Sequence, residues 1–226
     1  KYDLVIVGAG PAGLSAAIHF KKLCKKNNKD FSVCIVEKGS EVGAHILSGA
    51  ILEPTALNEL IEEWEKDDNC PVKTAVTKEH VNFLTDSSAY SIPKFFLPPA
   101  MHNNGNYIIS LGSFCKWLSS EAEKAGVEIY PGFAASDIIF KENSLKGIIT
   151  SDLGIEKEGK PGPNFQPGIE IHSKYTLFAE GCRGHLGKKL IDQFKLNENS
   201  QHQTYGIGLK ELWEIKPENS KPGEVM

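Results

Sequence analysis

The chain has 226 residues, of which 40% are hydrophobic and 24% are charged, and its formal net charge at pH 7 is −4. This composition is typical of a globular protein with one large domain or two small ones. The mildly negative charge gives no electrostatic basis for a nucleic-acid partner. No apolar run reaches the length that spans a bilayer, and no signal-peptide pattern occurs.

The five cysteines form an odd set without a CxxC spacing. This pattern argues against a zinc site, an iron–sulfur site or a disulfide framework in this stretch, and it favours a reducing compartment. Cys24 and Cys34 have apolar neighbours, so we expect them to be small buried hydrophobic residues.

The opening residues are predicted to form a strand, a glycine loop, a helix and a second strand. Residues 4–7 are a continuous apolar run, and residues 8–13 read Gly-Ala-Gly-Pro-Ala-Gly. Apolar positions at helical spacing follow in residues 14–25, and a second apolar run at residues 31–36 ends in Glu37. A strand that is buried on both faces of a parallel sheet has this continuous apolar pattern.

A GxGxxG motif in this context predicts a dinucleotide-binding crossing. Gly8 permits the tight turn, Gly10 lets the backbone approach a pyrophosphate, and Gly13 lets the helix pack on the strand. Glu37 stands where an acid bonds the adenosine ribose, and the helix N-terminus is placed to hold phosphates. The alternative is a glycine-rich turn in an unrelated sheet, which the flanking elements make the weaker interpretation.

The chain after Glu37 is predicted to continue with a loop and then a helix. Residues 38–50 are rich in small residues, which suits either a ligand-approaching loop or a plain connector. Pro54 opens a predicted helix whose apolar face consists of four residues: Leu57, Leu60, Ile61 and Trp64.

An inserted segment follows, in which predicted strands and helices no longer alternate. Residues 81–84 and 90–93 flank a polar turn and predict a hairpin, and residues 94–101 are apolar but interrupted by prolines. Regular elements then resume. They comprise a strand at 107–110, a helix around 114–122 that Gly126 ends, strands at 127–130, 136–140 and 145–151, a long loop at 154–168, and strands at 169–172 and 175–179.

The end of the last predicted strand has the same strand–glycine–helix pattern as the first residues of the chain. An apolar run leads into Glu180-Gly181, and a helix with apolar positions at Leu186, Leu190 and Ile191 follows. A second glycine turn at the carboxyl edge of the sheet gives another backbone approach to one long cofactor. The alternative is an ordinary turn. Together with the loop at 43–49, the two turns favour FAD over NAD.

Four stretches of the sequence resemble the electron-transfer flavoprotein:ubiquinone oxidoreductase family, and more distantly the geranylgeranyl-reductase-type flavoproteins. They are VEKGSEVGAHILSGAILEPTALNEL, NNGNYIISLGSFCKWLSSEAEKAGVEIYPGF, TLFAEGCRGHLGKKLI and QTYGIGLKELWEI. The resemblance implies an oxidoreductase that moves electrons from reduced electron-transfer flavoprotein to ubiquinone, using FAD and a [4Fe–4S] cluster. It also implies peripheral attachment to the matrix face of the mitochondrial inner membrane, or to a bacterial plasma membrane.

The resemblance implies a role for individual residues, with no catalytic side chain and no metal ligand among them. Expected at the FAD pyrophosphate are Gly8, Gly10, Pro11, Ala12 and Gly13. Expected on the adenosine side are Glu37, Lys38 and, by backbone contact with adenine, Ala134. Expected on the flavin side are Ala44, His45, Ser48 and Gly49, and expected at the pyrophosphate and ribityl chain are Glu180, Gly181 and Cys182.

The fold class we predict is α/β with an α+β insert, a Rossmann-like FAD-binding domain of glutathione-reductase type that is truncated. The FAD-binding domain takes residues 1–75 and 107–200, and the quinone- and membrane-facing domain takes residues 76–106 and 201–226. The family's four cluster cysteines have no counterpart here, so we expect a fragment whose cluster domain lies outside the chain.

Six apolar residues of the insert are expected to face a membrane: Phe83, Leu84, Ile92, Phe95, Phe96 and Leu97. The alternative is that they pack the core of their own domain. Two alternative functions stay open. One is an NAD(P)H-dependent flavin reductase or hydroxylase of the geranylgeranyl-reductase type. The other is a flavin-free, partner-binding protein of the same fold, as in GDP-dissociation inhibitors.

Overall fold

The computed structural model describes residues 1–46 and 49–226. The helices of the described residues are α1 (Pro11–Lys26), α2 (Thr55–Leu60), α3 (Leu111–Lys124) and α4 (His185–Phe194). The strands are β1 (Tyr2–Val7), β2 (Val33–Glu37), β3 (Gly49–Leu52), β4 (Thr74–Ala75), β5 (Lys78–Glu79), β6 (Asn82–Leu84), β7 (Ala89–Ser91), β8 (Tyr107–Ser110), β9 (Glu128–Pro131), β10 (Ala135–Lys141), β11 (Ser144–Thr150), β12 (Leu153–Ile155), β13 (Pro161–Gln166), β14 (Glu170–Phe178) and β15 (Glu224–Val225).

The chain divides into two compact units. The first comprises residues 1–45 and 115–208, and the second comprises residues 46–114 and 209–226. The second unit therefore begins earlier in the chain than the insert that we predict at residue 76.

The first unit is built on a six-stranded sheet in the order β10-β11-β14-β1-β2-β9. The four strands β14, β1, β2 and β9 run parallel, and β10 and β11 extend the sheet by antiparallel pairing. Buried on one face of the sheet is a cluster of eight residues: Val5, Val7, Cys34, Val36, Ile138, Ile148, Ile171 and Leu186. Leu186 belongs to α4, so this helix covers part of the sheet. The mixed α/β, Rossmann-like fold class is confirmed.

The second unit consists of small sheets and irregular segments. Strands β3, β8 and β4 form one antiparallel sheet, β6 and β7 form the predicted hairpin, and β15 pairs in parallel with β5. Two short 3₁₀-helices, Lys94–Phe96 and Pro99–Met101, occupy the proline-broken stretch. Strand β3 lies partly within the stretch that we predict as a loop, and its pairing with β8 explains the difference.

The helix predicted from Pro54 through Trp64 is wrong in its extent. Helix α2 ends at Leu60 because Ile61 is extended and Glu63 is left-handed, with a φ of 59°. Trp64 instead lies in a 3₁₀-helix, is 3% exposed, and donates its indole N–H to Asn58 Oδ1 at 2.7 Å. The tertiary contacts of the indole ring, rather than helical periodicity, bury this side chain.

The loop predicted at residues 154–168 is also wrong, because β12 and β13 pair there as an antiparallel hairpin. Gly154 has a φ of +71°, and a Cβ at this position would lie 2.5 Å from the Asn164 carbonyl oxygen. The glycine that we interpret as a loop signal is therefore needed for close strand pairing. The two strands predicted at 169–172 and 175–179 are one strand, β14, which pairs with β11 in its first half and with β1 in its second.

Residues 201–216 form neither a helix nor a strand. Large apolar side chains in this segment are strongly exposed: Ile207 at 95%, Leu209 at 95%, Leu212 at 101% and Trp213 at 75%. We call residues 205–215 the apolar tail segment.

Candidate flavin site

The candidate site lies where the order of the parallel strands reverses. Strand β1 has β2 and then β9 on one side, and β14, the next parallel strand along the chain after β9, on the other. The Gly8 N–H donates to the Val36 carbonyl at 2.9 Å, and the Ala179 N–H donates to the Val7 carbonyl at 2.8 Å. The ends of three strands are thereby joined at the crevice in which open α/β sheets bind ligands.

The three glycines of the loop after β1 have separate physical roles. Gly8 has a φ of +105°, and a Cβ there would lie 2.5 Å from the Ala179 carbonyl oxygen. A Cβ on Gly13 would lie 2.0 Å from the Gly8 carbonyl oxygen, so only glycine lets α1 pack this closely. A Cβ on Gly10 would meet no heavy atom of the described residues within 4 Å. The space above Gly10 is therefore open to a ligand.

The N-terminus of α1 carries no anion of its own among the described residues. Its N-cap, Gly10, offers no side-chain hydrogen bond, Pro11 follows at the first helical position, and the first turn contains no acidic residue. The first amides of a helix have no intrahelical acceptor, and the helix dipole adds partial positive charge there. This end of α1 is suited to a phosphate group.

Glu37 lies at the end of β2 and joins two turns. Its Oε2 accepts the Ala9 N–H at 2.9 Å, and its Oε1 accepts the Gly39 N–H at 2.7 Å. Each carboxylate oxygen can accept a second hydrogen bond, which leaves one free position on each oxygen. Two adjacent acceptors of this kind match the two neighbouring hydroxyls of a ribose.

Cys115 is a neighbour of Glu37 that the sequence patterns do not reveal. The thiol is fully buried, and burial, with the negative charge of Glu37 as a smaller cause, raises its pKa to about 11. The thiol therefore stays neutral at physiological pH. Cys115 is therefore a small apolar neighbour of Glu37 and does not act as a nucleophile.

Glu180, which we predict at the pyrophosphate and ribityl chain, makes a contact within the protein. Its carboxylate accepts the Leu186 N–H at 3.1 Å and the Gly187 N–H at 2.9 Å, so it caps the N-terminus of α4. Gly184 is required nearby, because a Cβ there would lie 2.7 Å from the Glu180 carboxylate. At the same turn, Gly181 has a φ of +80°, and a Cβ on it would meet no heavy atom of the described residues within 4 Å. Cys182, which follows it, is exposed.

The other predicted residues belong to both units of the chain. Lys38, Ala44 and His45 are exposed residues of the first unit, in the turns that follow β2. Ala134 is half-buried, and its carbonyl accepts the Ser151 N–H at 2.7 Å. Gly49 belongs to the second unit, where it begins β3. Ser48 lies outside the described residues.

Most of the apolar residues that we predict to face a membrane are exposed in the second unit. The exposed fractions are 63% for Phe83, 70% for Leu84, 36% for Ile92, 79% for Phe95 and 69% for Phe96, and Leu97 is half-buried. The predicted exposure of Phe95 and Phe96 is confirmed. The described residues therefore do not cover these two side chains.

Comparison with known proteins identifies relatives that match the whole chain. A protein of Acinetobacter baylyi named as a probable electron transfer flavoprotein-ubiquinone oxidoreductase is 56% identical over 100% of this chain and 40% of its own length. The human mitochondrial electron transfer flavoprotein-ubiquinone oxidoreductase is 51% identical over 99% of this chain and 36% of its own length. The resemblance to electron transfer flavoprotein-ubiquinone oxidoreductases is confirmed. The chain spans about two fifths of the length of these relatives.

Comparisons of fold agree with the topology described above. The model of the NAD(P)-binding Rossmann-like domain matches residues 6–60. A geranylgeranyl bacteriochlorophyll reductase-like protein from Thermoplasma acidophilum superposes with a TM-score of 0.54 at 20% identity, covering 79% of this chain and 38% of that one. A myxobacterial chondrochloren halogenase, described as FAD-dependent, gives a TM-score of 0.54 at 16% identity, covering 81% and 38%. The chain therefore shares its fold with these two proteins.

Metal-ligating clusters and membrane-crossing helices are both absent from the part of the chain that the structure describes. No group of three or more histidine, cysteine, aspartate or glutamate side chains in residues 1–46 and 49–226 is arranged to hold a metal ion. Within the same residues, no helix combines the length and the apolar character needed to cross a bilayer.

Proposed function

We propose that this chain forms the FAD-binding part of an electron transfer flavoprotein-ubiquinone oxidoreductase. The observation that carries the proposal is the identity of 51–56% with proteins of that name over nearly the whole chain. The geometry supports it independently, because the first unit combines an open glycine loop, an uncapped helix N-terminus and a ribose-sized pair of acceptors.

The residues present fit FAD at three points. The amides at the start of α1 and the open space above Gly10 would hold the pyrophosphate. Glu37 would bind the ribose hydroxyls with the acceptor positions that Ala9 and Gly39 leave free. The carboxylate of Glu180 holds the N-terminus of α4, and the space beside Gly181 is open, so at this turn we assign the cofactor contact to the backbone of Gly181 and Cys182.

When bound, FAD would supply the redox chemistry, and the protein would supply binding, orientation and electrostatics. Reduced electron transfer flavoprotein would be the donor, and ubiquinone, which takes up two electrons and two protons, would be the acceptor. No described side chain in the crevice is assigned as a general base. We assign the [4Fe–4S] cluster of the complete protein to residues outside this chain.

We further propose that the exposed apolar residues of the second unit contact a membrane surface. Apolar side chains on a short segment bind at the boundary between headgroups and acyl chains without spanning the bilayer. Phe95 and Phe96 are suited to this role because their rings lie 4.0 Å apart and face solvent. The membrane would be the matrix face of the mitochondrial inner membrane, or a bacterial plasma membrane.

The experiment that tests the FAD site is reconstitution of the purified protein with FAD, followed by desalting and a visible spectrum. We expect flavin bands at one equivalent per chain. Loss of all flavin on desalting would contradict the FAD site and would favour the flavin-free, partner-binding alternative.

A second experiment identifies the electron donor of the flavin. Reduced electron transfer flavoprotein and NADPH are each added anaerobically to the protein in its complete, FAD-loaded form. We expect flavin bleaching with the first donor only. Bleaching with NADPH alone would favour the flavin reductase or hydroxylase alternative.

A further inference from the structure

Glu79 is a nearly buried carboxylate of the second unit. It ends β5, whose position is fixed by parallel pairing with β15, where Val225 lies opposite Glu79. Its side chain is only 9% exposed. A buried carboxylate requires charged or hydrogen-bonding partners, and those of Glu79 come from two other points in the chain.

The partners of Glu79 lie at the two ends of one loop. Oε1 forms an ion pair with Lys94 Nζ at 2.6 Å. Oε2 accepts the Asn103 backbone N–H at 2.8 Å and the Asn103 side-chain amide at 3.3 Å. The nearest further group is His102 Nδ1, at 3.5 Å from Oε1. These contacts, with Lys94 first, lower the pKa of Glu79 to about 2, so the carboxylate is charged at physiological pH.

The loop between these two anchor points, residues 95–102, carries the most exposed aromatic side chains of the insert. Its two 3₁₀-helices are closed by short-range bonds, among them Leu97 N–H to the Lys94 carbonyl and His102 N–H to the Pro99 carbonyl. Phe95 and Phe96 project from it at 79% and 69% exposure. Isolated turns of this length are marginal in water, so the loop depends on the contacts at its ends.

We infer that Glu79 is a positioning residue that holds this loop, by way of Lys94 and Asn103, in the shape that presents Phe95 and Phe96 to lipid. The inference rests on the proposed membrane contact. It also assigns Lys94 a partner within the protein, so this lysine does not serve as a contact for lipid phosphate. The loop accordingly binds the uncharged interfacial layer of a bilayer by apolar burial, without requiring anionic headgroups.

The test compares Glu79→Gln and Lys94→Met with the matched control Lys78→Met. Lys78 lies on the same strand and pairs with Glu224 at 3.7 Å, away from the loop. The first readout is hydrogen exchange at the amides of Leu97 and His102. We expect exchange about tenfold faster in both loop variants, and unchanged exchange in the control. Lys94→Arg keeps the cation and should restore protection.

The second readout is co-sedimentation with phosphatidylcholine vesicles, with FAD content as the check on folding. We expect both loop variants to bind vesicles about tenfold more weakly, with FAD content unchanged. Adding phosphatidylglycerol should change vesicle binding of the parent and of Lys94→Met to the same extent. Parent-like exchange in Glu79→Gln would overturn the positioning role. If the parent protein does not bind vesicles, the proposed membrane contact is wrong. The exchange data would still decide whether Glu79 holds the loop.

Discussion

Two strand–turn–helix crossings of the first unit are built alike and end differently. In each, a strand of the parallel part of the sheet leads into a turn with a left-handed glycine, Gly8 with a φ of +105° and Gly181 with a φ of +80°, and a helix follows. The helix after the first turn, α1, has no side-chain cap among the described residues. The helix after the second, α4, has the carboxylate of Glu180 on two of its first amides.

From this difference we propose that α1, rather than α4, receives the phosphate groups of a ligand. A helix N-terminus attracts one anion, and at α4 the protein supplies that anion itself. At α1 the position is left to a ligand, and glycine at position 10 keeps the approach open. A strand–glycine–helix pattern alone therefore does not identify a phosphate site, because the state of the helix amides decides it.

The largest expected effect is that of Gly10→Val. Nothing in the described structure lies within 4 Å of a Cβ at this position, so the variant should fold with parent-like stability. A branched side chain would fill the space that the pyrophosphate needs, and we expect FAD affinity to fall by about 100-fold or more. Flavin fluorescence titration measures it. Stoichiometric flavin in the purified variant would show that the phosphates bind elsewhere.

A smaller loss of affinity is expected for Glu37→Gln. The charge-assisted bonds to the ribose contribute about 1.5–3 kcal/mol, or roughly 10- to 150-fold in the dissociation constant. The control is Glu41→Gln, since Glu41 pairs at the surface with Lys116 at 2.9 Å. If both variants bind FAD as tightly as the parent, Glu37 does not contact the ribose.

Glu180→Gln tests the difference between the two strand–turn–helix crossings. Loss of the charged cap on α4 should lower the free energy of unfolding by about 1 kcal/mol, because glutamine offers one acceptor oxygen to two amides. FAD affinity should change little. Asp192→Asn, an exposed change on the same helix, is the control in urea unfolding. A large loss of FAD affinity with unchanged stability would instead show that the Glu180 side chain contacts the cofactor.

The smallest effect is expected at the opposite end of the same strands. Asp3 pairs with Lys174 at 2.6 Å and accepts the Ser32 N–H at 2.8 Å, and these contacts, with Lys174 first, lower its pKa to about 2. Its folded pKa lies below its unfolded value of about 3.9, so its contribution is complete above that value and is lost as the pH falls towards 2.

Asp3→Asn should therefore lower the unfolding temperature slightly at neutral pH and flatten its decline between pH 5 and pH 2. The control is Asp30→Asn, because the side chain of Asp30 is 100% exposed. If the unfolding temperature of Asp3→Asn falls with pH as it does in the parent, Asp3 does not contribute to the pH dependence of stability.

The glycine crossing was predictable from sequence because its constraints are local. The main steric limit on Gly13 acts within one turn and one helix, because a Cβ there would lie 2.0 Å from the Gly8 carbonyl oxygen, and the motif encodes it directly. Helix α3 was predictable for a related reason, since one apolar face and a terminal Gly126 with a φ of +83° define it within a few turns.

Other features depend on partners distant in the chain. The cap formed by Glu180 is signalled by an acid near a predicted helix start, but the pattern does not tell whether such an acid faces the helix or a ligand. Strand β5 exists because it pairs with β15, more than a hundred positions later, and neither has a pattern of its own. The loop that carries Phe95 likewise follows Lys94, whose ion pair with Glu79 is not indicated by any apolar periodicity.

The apolar tail segment has a consequence for handling the chain in solution. Tyr205, Ile207 and Leu209 alternate with small or polar residues, which is the pattern of a strand, and their backbone belongs to no sheet of the described structure. An unpaired, apolar, strand-like segment is a template for pairing between copies, so the chain prepared by itself should self-associate as its concentration rises. Light scattering would register that growth, and lysine in place of Ile207 and Leu209 should suppress it.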